Sequence, residues 1–172
     1  MALHCALLNG SRIIFLDKFD VDRVVEELPK STVLMGVPTF YVRLLEADGF
    51  DRDLCATMRL FISGSAPLLA ETFTTFEART GQPILERYGM TEIGMGISNP
   101  YNGERRAGAV GQALPGVDCE LFDENDSLIT EEAVAGEIRI KGDNVFLEYW
   151  DNATATKAVS YTHLTLPTIY SV

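Results

Sequence analysis

The residues best suited to chemistry lie in one short run, Tyr88-Gly89-Met90-Thr91-Glu92. An aromatic ring, a hydroxyl and a carboxylate this close together could stack a base, bind a phosphate oxygen and hold Mg²⁺. Gly89 allows a ligand to approach the backbone closely. Taken singly, each residue has a plainer use: Tyr88 in a core, Thr91 as a helix N-cap, Glu92 as an acid on a first helical turn. A second run, Ser63-Gly64-Ser65-Ala66-Pro67-Leu68, is a small-residue loop whose backbone could lie against a flat ligand. A third, Gly136–Gly142 (GEIRIKG) with Tyr149-Trp150, reads alone as one exposed strand and an aromatic anchor.

These runs need elements to position them. Ala2–Leu8 has a helical pattern and Asn9-Gly10 a turn, followed by Arg12–Leu16, an apolar run typical of a strand buried on both faces. Asp20 is an N-cap candidate for a helix over Asp20–Leu28, which Pro29 stops. Thr32–Met35 reads as a strand, Pro38 as the first turn of a helix carrying Tyr41, Leu44 and Leu45, and Arg59–Ile62 as another strand. Leu68–Thr80 is a helix closed by Gly81, and Ile84–Arg87 a fourth strand ending in the Tyr88–Glu92 run. In alternating α/β chains, ligands sit beyond the carboxyl ends of the strands.

The expected fold class is therefore α/β: a parallel sheet with flanking helices, followed by a smaller β-rich unit. Residues 1–94 form the first unit. Residues 95–118 read as loops, and 95–157 as the second unit, with strands at Val117–Phe122 and Glu137–Lys141 around a polar turn at Asp123–Asp126. Asp151–Ala158 looks like the start of a helix. The tail, 158–172, reads as foreign to the rest. Its SYTHLTLPTIYSV stretch has β propensity but no obvious partner strand, and it resembles translated sequencing-adapter DNA.

Composition narrows the function classes. The chain has 172 residues, 47% hydrophobic and 23% charged, enough for a packed core. A formal net charge of -11, without any run of Lys and Arg, argues against nucleic acid as a partner. Cys5, Cys55 and Cys119 form no CxxC pair and read as reduced thiols of a cytoplasmic protein. No stretch approaches the roughly 20 apolar residues of a membrane span.

The ordered set GSAP (Gly64–Pro67), ERYGMTE (Glu86–Glu92), VGQALPG (Val110–Gly116) and GEIRIKG…YW resembles the middle of an adenylate-forming enzyme. That superfamily includes acyl-CoA synthetases, luciferases and the adenylation domains of peptide synthetases. The likeness covers roughly residues 1–157. Within it, Leu85–Gly116 is most similar to malonyl-CoA synthetases, through Ser98-Asn99-Pro100 and Gly103-Glu104-Arg105-Arg106 after the YGMTE run.

This resemblance implies a ligase using ATP, Mg²⁺ and coenzyme A on a small-molecule carboxylate, malonate first. The alternatives are a fatty or aromatic acid, or a non-catalytic nucleotide-binding fragment. It implies that Gly64, Ser65, Ala66 and Pro67 line an adenine pocket with Tyr88 stacked on the base, and that Glu86, Arg87, Gly89 and Met90 belong to the same nucleotide site. Thr91 would contact the α-phosphate and Glu92 would hold Mg²⁺, these two being the catalytic pair. Arg105, then Arg106, are the guanidinium candidates for the second carboxylate of malonate, with Ser98 nearby. The family's upstream phosphate loop, its downstream TGD segment and its C-terminal lid lie outside this sequence. The expectation is an internal fragment that is inactive alone.

Overall fold

The structure is a computed structural model that describes residues 2–131 and 134–159, and the backbone alone of 164–166. Helix α1 (Ala2–Leu8) opens the chain. Helix α2 (Val21–Glu27) follows, with the Asp20 carboxylate accepting the Arg23 N–H at its N-terminus. Pro29 has no N–H for an α-helical ladder, so the chain tightens into a 3₁₀ turn over Leu28–Lys30. Between α1 and α2 the run Arg12–Leu16 is not a strand. No described strand lies beside it, an unpaired strand leaves its backbone groups unsatisfied, and Phe15 is exposed.

Strand β1 (Val33–Gly36) leads into α3 (Pro38–Leu45), where Pro38 occupies the first turn as expected. Strand β2 (Leu60–Ser63) is followed by α4 (Ala70–Thr80), closed by Gly81 at φ 75°. Strand β3 (Leu85–Met90) turns back into β4 (Gly94–Ser98), and a short β5 (Gln112–Ala113) pairs with β4. These five strands form one sheet in the order β1-β2-β3-β4-β5. The first three are parallel and the last two antiparallel.

Residues 95–98 and 112–113, expected as loop, are thus sheet. Their Gly and Ser residues hid an antiparallel hairpin held by the backbone ladder to Arg87–Met90. The first sheet accordingly continues past residue 94.

The second sheet contains β6 (Val117–Phe122), β7 (Glu137–Gly142) and β8 (Leu164–Leu166), all antiparallel. The Asp123 side chain accepts N–H bonds from Asn125 and Ser127 and so makes the polar turn after β6. Backbone pairing of Leu164–Leu166 with Ile138–Ile140 supplies the partner strand the tail had lacked. Helix α5 (Ala153–Val159) lies between β7 and β8.

Two apolar clusters hold these parts. Phe61 from the sheet and Ile84, just before β3, meet Tyr41, Leu44, Phe73 and Phe76 from α3 and α4, with Val24 and Leu28 beside them. Phe76 sits edge-on to both Tyr41 and Phe61. A smaller cluster of Ile93, Ile138 and Ile140 joins the two sheets.

Cys55 lies in the larger cluster, fully buried, and burial together with the Asp51 carboxylate pushes its thiol up to about 11. A thiol reagent at pH 8 should therefore label Cys5 in the native chain and reach Cys55 only after denaturant is added. Mass spectrometry of the labelled peptides checks this, and native-state labelling of Cys55 as fast as Cys5 would contradict its placement.

Candidate active site

Register determines which residues meet. Ser63, the last residue of β2, lies beside Glu86, the second residue of β3. Strand β3 therefore runs four residues past the carboxyl end of β2. The loop Gly64–Pro67 leaves β2 at this step and lies against the overhang. A Cβ added to Gly64 would stand 3.0 Å from Cζ and Nη1 of Arg87 and 3.2 Å from its carbonyl oxygen. Ser65 has φ 70°, a left-handed conformation that is uncommon outside glycine. Ser65, Ala66 and Pro67 are exposed while Leu68 is buried and anchors the loop.

The overhang ends in the β3–β4 turn. The ladder shifts register between Tyr88 and Gly89. A Cβ on Gly89 would lie 2.2 Å from the Gly94 carbonyl oxygen, so only glycine fits the close strand approach there. Thr91 and Glu92 occupy the turn itself, not the N-terminus of a helix; Thr91 is exposed and Glu92 half-buried. Ile93 is fully buried in the smaller cluster and pins the turn from below. Tyr88 and Met90 pack against the same cluster. The loop Gly64–Pro67 and the run Arg87–Glu92 thus stand at one rim of the sheet.

Glu92 is gripped by the segment after β7. Its backbone carbonyl accepts the Phe146 N–H at 2.7 Å, and its Oε1 accepts the Tyr149 hydroxyl. Asn144 Nδ2 donates to the Ile93 carbonyl at 2.8 Å. The Tyr149 ring sits edge-on to Phe146, 4.7 Å between centroids. The hydrogen bond to Glu92 raises the Tyr149 phenol above its usual range. The aromatic anchor expected at Tyr149-Trp150 is thus Tyr149 with Phe146, while Trp150 is 93% exposed. The sequence signal for Tyr149 was its place in the GEIRIKG…YW run; nothing there indicated its contact with a turn 57 residues away.

Glu86 faces inward. It is 4% exposed, and its Oε1 accepts the Gly108 N–H at 3.2 Å. Its backbone carbonyl accepts both the N–H and the Nδ2 of Asn99. Asn99 Nδ2 also reaches the Ala109 carbonyl at 2.5 Å. Glu86 and Asn99 together tie the loop 99–109 to the start of β3.

That tie settles where Arg105 sits. Its Nη1 donates to the Pro83 carbonyl at 2.7 Å, Nη2 to Tyr101 at 2.9 Å and Nε to Pro100 at 3.2 Å. Tyr101 packs on Arg59, just before β2 begins. Arg105 therefore lies at the amino end of β2 and β3, roughly 20 Å along the strand from Thr91. Arg105, expected to meet the second carboxylate of malonate, has its donors engaged by these three backbone carbonyls. Arg106 is exposed and only its backbone N–H bonds, to Asn99 Oδ1.

Ser98 and Arg87 are cross-strand partners in the antiparallel ladder, so their side chains share a face. Ser98 Oγ donates to the Asn99 carbonyl. Arg87 is half-buried, and among the described residues its guanidinium has neither a hydrogen bond nor an ion pair.

The turn fits a magnesium ion that arrives with phosphate. Among the described residues no group of three or more His, Cys, Asp or Glu could hold a metal alone. Mg²⁺ in nucleotide sites commonly takes one or two carboxylates and completes its shell with phosphate oxygens and water. Glu92 supplies one such carboxylate, and Tyr149 occupies only Oε1. Among the described residues no helix is long and apolar enough to cross a membrane.

The chain is similar to known proteins over most of its length. The family described as AMP-binding enzyme matches residues 1–150. The mitochondrial malonate–CoA ligase of Mus musculus is 36% identical over 190 residues, covering 91% of this chain and 33% of the relative. ATP-bound MatB from Rhodopseudomonas palustris is 48% identical with a TM-score of 0.87, covering 92% of this chain and 31% of that one. A malonyl-CoA ligase solved with methylmalonyl-CoA and AMP is 38% identical with a TM-score of 0.77, over 87% of this chain and 33% of that one. The chain spans about a third of the length of these relatives.

Two expectations follow. Burial raises the Glu86 carboxyl above its ordinary 4.5, against the pull of the Gly108 and Leu68 N–H groups. The folded chain then holds this proton more tightly than the unfolded one. The stability it contributes is present below pH 4.5 and is lost as pH rises through the folded pKa. Glu86→Gln should melt higher than the parent near pH 7, and the gap should close as pH falls below the ordinary carboxyl range. A gap constant with pH would contradict burial as the cause. Arg105→Ala removes charge-assisted bonds to three carbonyls from a half-exposed site and should cost about 1–2 kcal/mol, read from the urea midpoint. An unchanged midpoint would show that the loop does not depend on it.

Proposed function

We propose, for a chain that belongs to the AMP-binding enzyme family, that it forms the nucleotide-side wall of a carboxylate–CoA ligase acting on malonate. The observation that carries this is the meeting of Gly64–Pro67 with Arg87–Glu92 at one rim of the sheet. The relatives named for malonate–CoA ligation, and the structures holding ATP or methylmalonyl-CoA with AMP, support the choice of substrate and co-substrates.

The chemistry has two steps. A carboxylate oxygen attacks the α-phosphorus of ATP, the bond to the bridging oxygen breaks, and pyrophosphate leaves. The coenzyme A thiol, losing its proton, then attacks the acyl carbon, and AMP departs with the other electron pair. In the first step two anions approach each other, so neutralising charge is the main task. Magnesium, when bound, spreads the phosphate charge.

Gly64, Ser65, Ala66 and Pro67 receive the adenine edge, with Tyr88 as the ring beside it. Backbone approach at Gly89 and Met90 shapes the phosphate side of the same site. Glu86 acts there indirectly, by holding the loop 99–109 in place. Thr91, exposed on the turn, donates its hydroxyl to the α-phosphate. Glu92 would hold the metal through Oε2, the oxygen that the Tyr149 bond leaves open. For the second carboxylate of malonate we assign Arg87, with Ser98 on the same face, in place of Arg105 and Arg106. A half-buried guanidinium with free donors suits a carboxylate in bidentate geometry. Like the reduced thiols read from the sequence, this activity suits the cytoplasm, although the mouse relative is named mitochondrial.

The test is pyrophosphate release by a longer polypeptide that carries this chain and matches the length of its relatives, supplied with ATP, Mg²⁺, coenzyme A and a panel of malonate, acetate and longer acids. Malonate should be preferred. Arg87→Ala should raise KM for malonate roughly tenfold or more, as expected when a paired charge loses its partner, while KM for ATP changes little. Retained malonate preference in Arg87→Ala would remove that assignment. Pyrophosphate release with a different acid only would replace malonate, and none with any acid would overturn the ligase reading.

A further inference from the structure

The segment after β7 reaches across from the second sheet and closes on Glu92 at two points. The backbone contact, Phe146 N–H to the Glu92 carbonyl at 2.7 Å, holds the turn. The side-chain contact, the Tyr149 hydroxyl to Glu92 Oε1, holds the carboxylate. These are separable. Phe146 and Asn144 already pin Glu92 and Ile93 through the backbone, so the fold of the turn does not require the phenol. Tyr149 is itself fixed, by its edge-on contact with Phe146 and by its N–H bond to Thr156 Oγ1 at 3.0 Å.

A carboxylate on an otherwise free side chain samples several rotamers, and freezing them on metal binding costs entropy. A fixed phenol bonded to one oxygen selects a single orientation and directs the other oxygen outward. Partners of metal-ligating groups commonly act this way. We infer that Tyr149 is a positioning residue that aims Glu92 Oε2 at the divalent ion carried by the nucleotide phosphates. The inference rests on the proposed metal role of Glu92 and adds a residue from the segment after β7 to it. It also gives the second sheet a part in the site, because a shift of β7 against β3 would move the phenol and with it the carboxylate.

Mn²⁺ binding in the presence of ATP, followed by electron paramagnetic resonance, tests this in the parent, Tyr149→Phe and Glu92→Gln. Phenylalanine keeps the ring packing on Phe146 and removes only the hydroxyl. Tyr149→Phe should weaken Mn²⁺ binding roughly tenfold. ATP binding in EDTA, by calorimetry, should stay at the parent value, and so should hydrogen-exchange protection of the Phe146 amide. Equal Mn²⁺ affinity in the parent and Tyr149→Phe, with binding lost in Glu92→Gln, would overturn the inference and leave the metal reading of Glu92 standing. A silent Glu92→Gln would overturn both, yet leave the adenine side intact if ATP still binds in EDTA. Loss of Phe146 protection in Tyr149→Phe would show the hydroxyl to be part of the fold instead, and would also overturn the inference.

Discussion

Parallel pairing between β2 and β3 covers only two residue pairs, Ile62 with Leu85 and Ser63 with Glu86, and the rest of the molecule is arranged around that short register. Because β2 stops where β3 has barely begun, four residues of β3 project past it. The projecting part has no parallel neighbour on the β2 side, so its open flank faces the Gly64–Pro67 loop. On its other side it is paired by β4. A slip by one residue would exchange the faces of Glu86 and Arg87. The carboxyl group would then lose Gly108 and the guanidinium would point into the helix-side core. Burial of Phe61 and Ile84 on the helix side keeps that slip from occurring.

Charge placement follows from the same register. Glu86 and Arg87 are neighbours in sequence and opposites in environment. One is buried and bonded to a loop N–H, and the other is half-buried at the rim. Arg105 illustrates the complementary case. A guanidinium two residues after Gly103, in the loop that follows Pro100, looks free in sequence, but such loops expose many carbonyls, and a planar fork of donors satisfies several at once. Three carbonyls, from Pro83, Pro100 and Tyr101, have claimed it.

Much of this was legible in the amino-acid order. The βα alternation to residue 90, the cap at Asp20, the helix start at Pro38 and the stop at Gly81 all announce themselves through local backbone rules. The two loops of the candidate site were legible because their small and polar residues are contiguous. What escaped is non-local. The β3–β4 hairpin contains Gly94 and Gly96, poor strand formers, and is built by ladder pairing across a register shift. Arg12–Leu16 has the composition of a strand without a neighbour to pair with. The contact between Tyr149 and Glu92 joins two sheets and has no local signature.

The exposure of Trp150 has a practical side. It is the one tryptophan of the chain, and with Leu147 it stands in solvent at over nine-tenths of its possible area while its neighbour Tyr149 turns inward. An indole already surrounded by water has little environment left to lose, so its emission will be red-shifted and readily quenched in the native state. Fluorescence excited at the indole band will therefore report poorly on whether this chain is folded. Ellipticity of the backbone, or the near-ultraviolet signal of the buried Tyr41 and Phe76, is the better optical gauge.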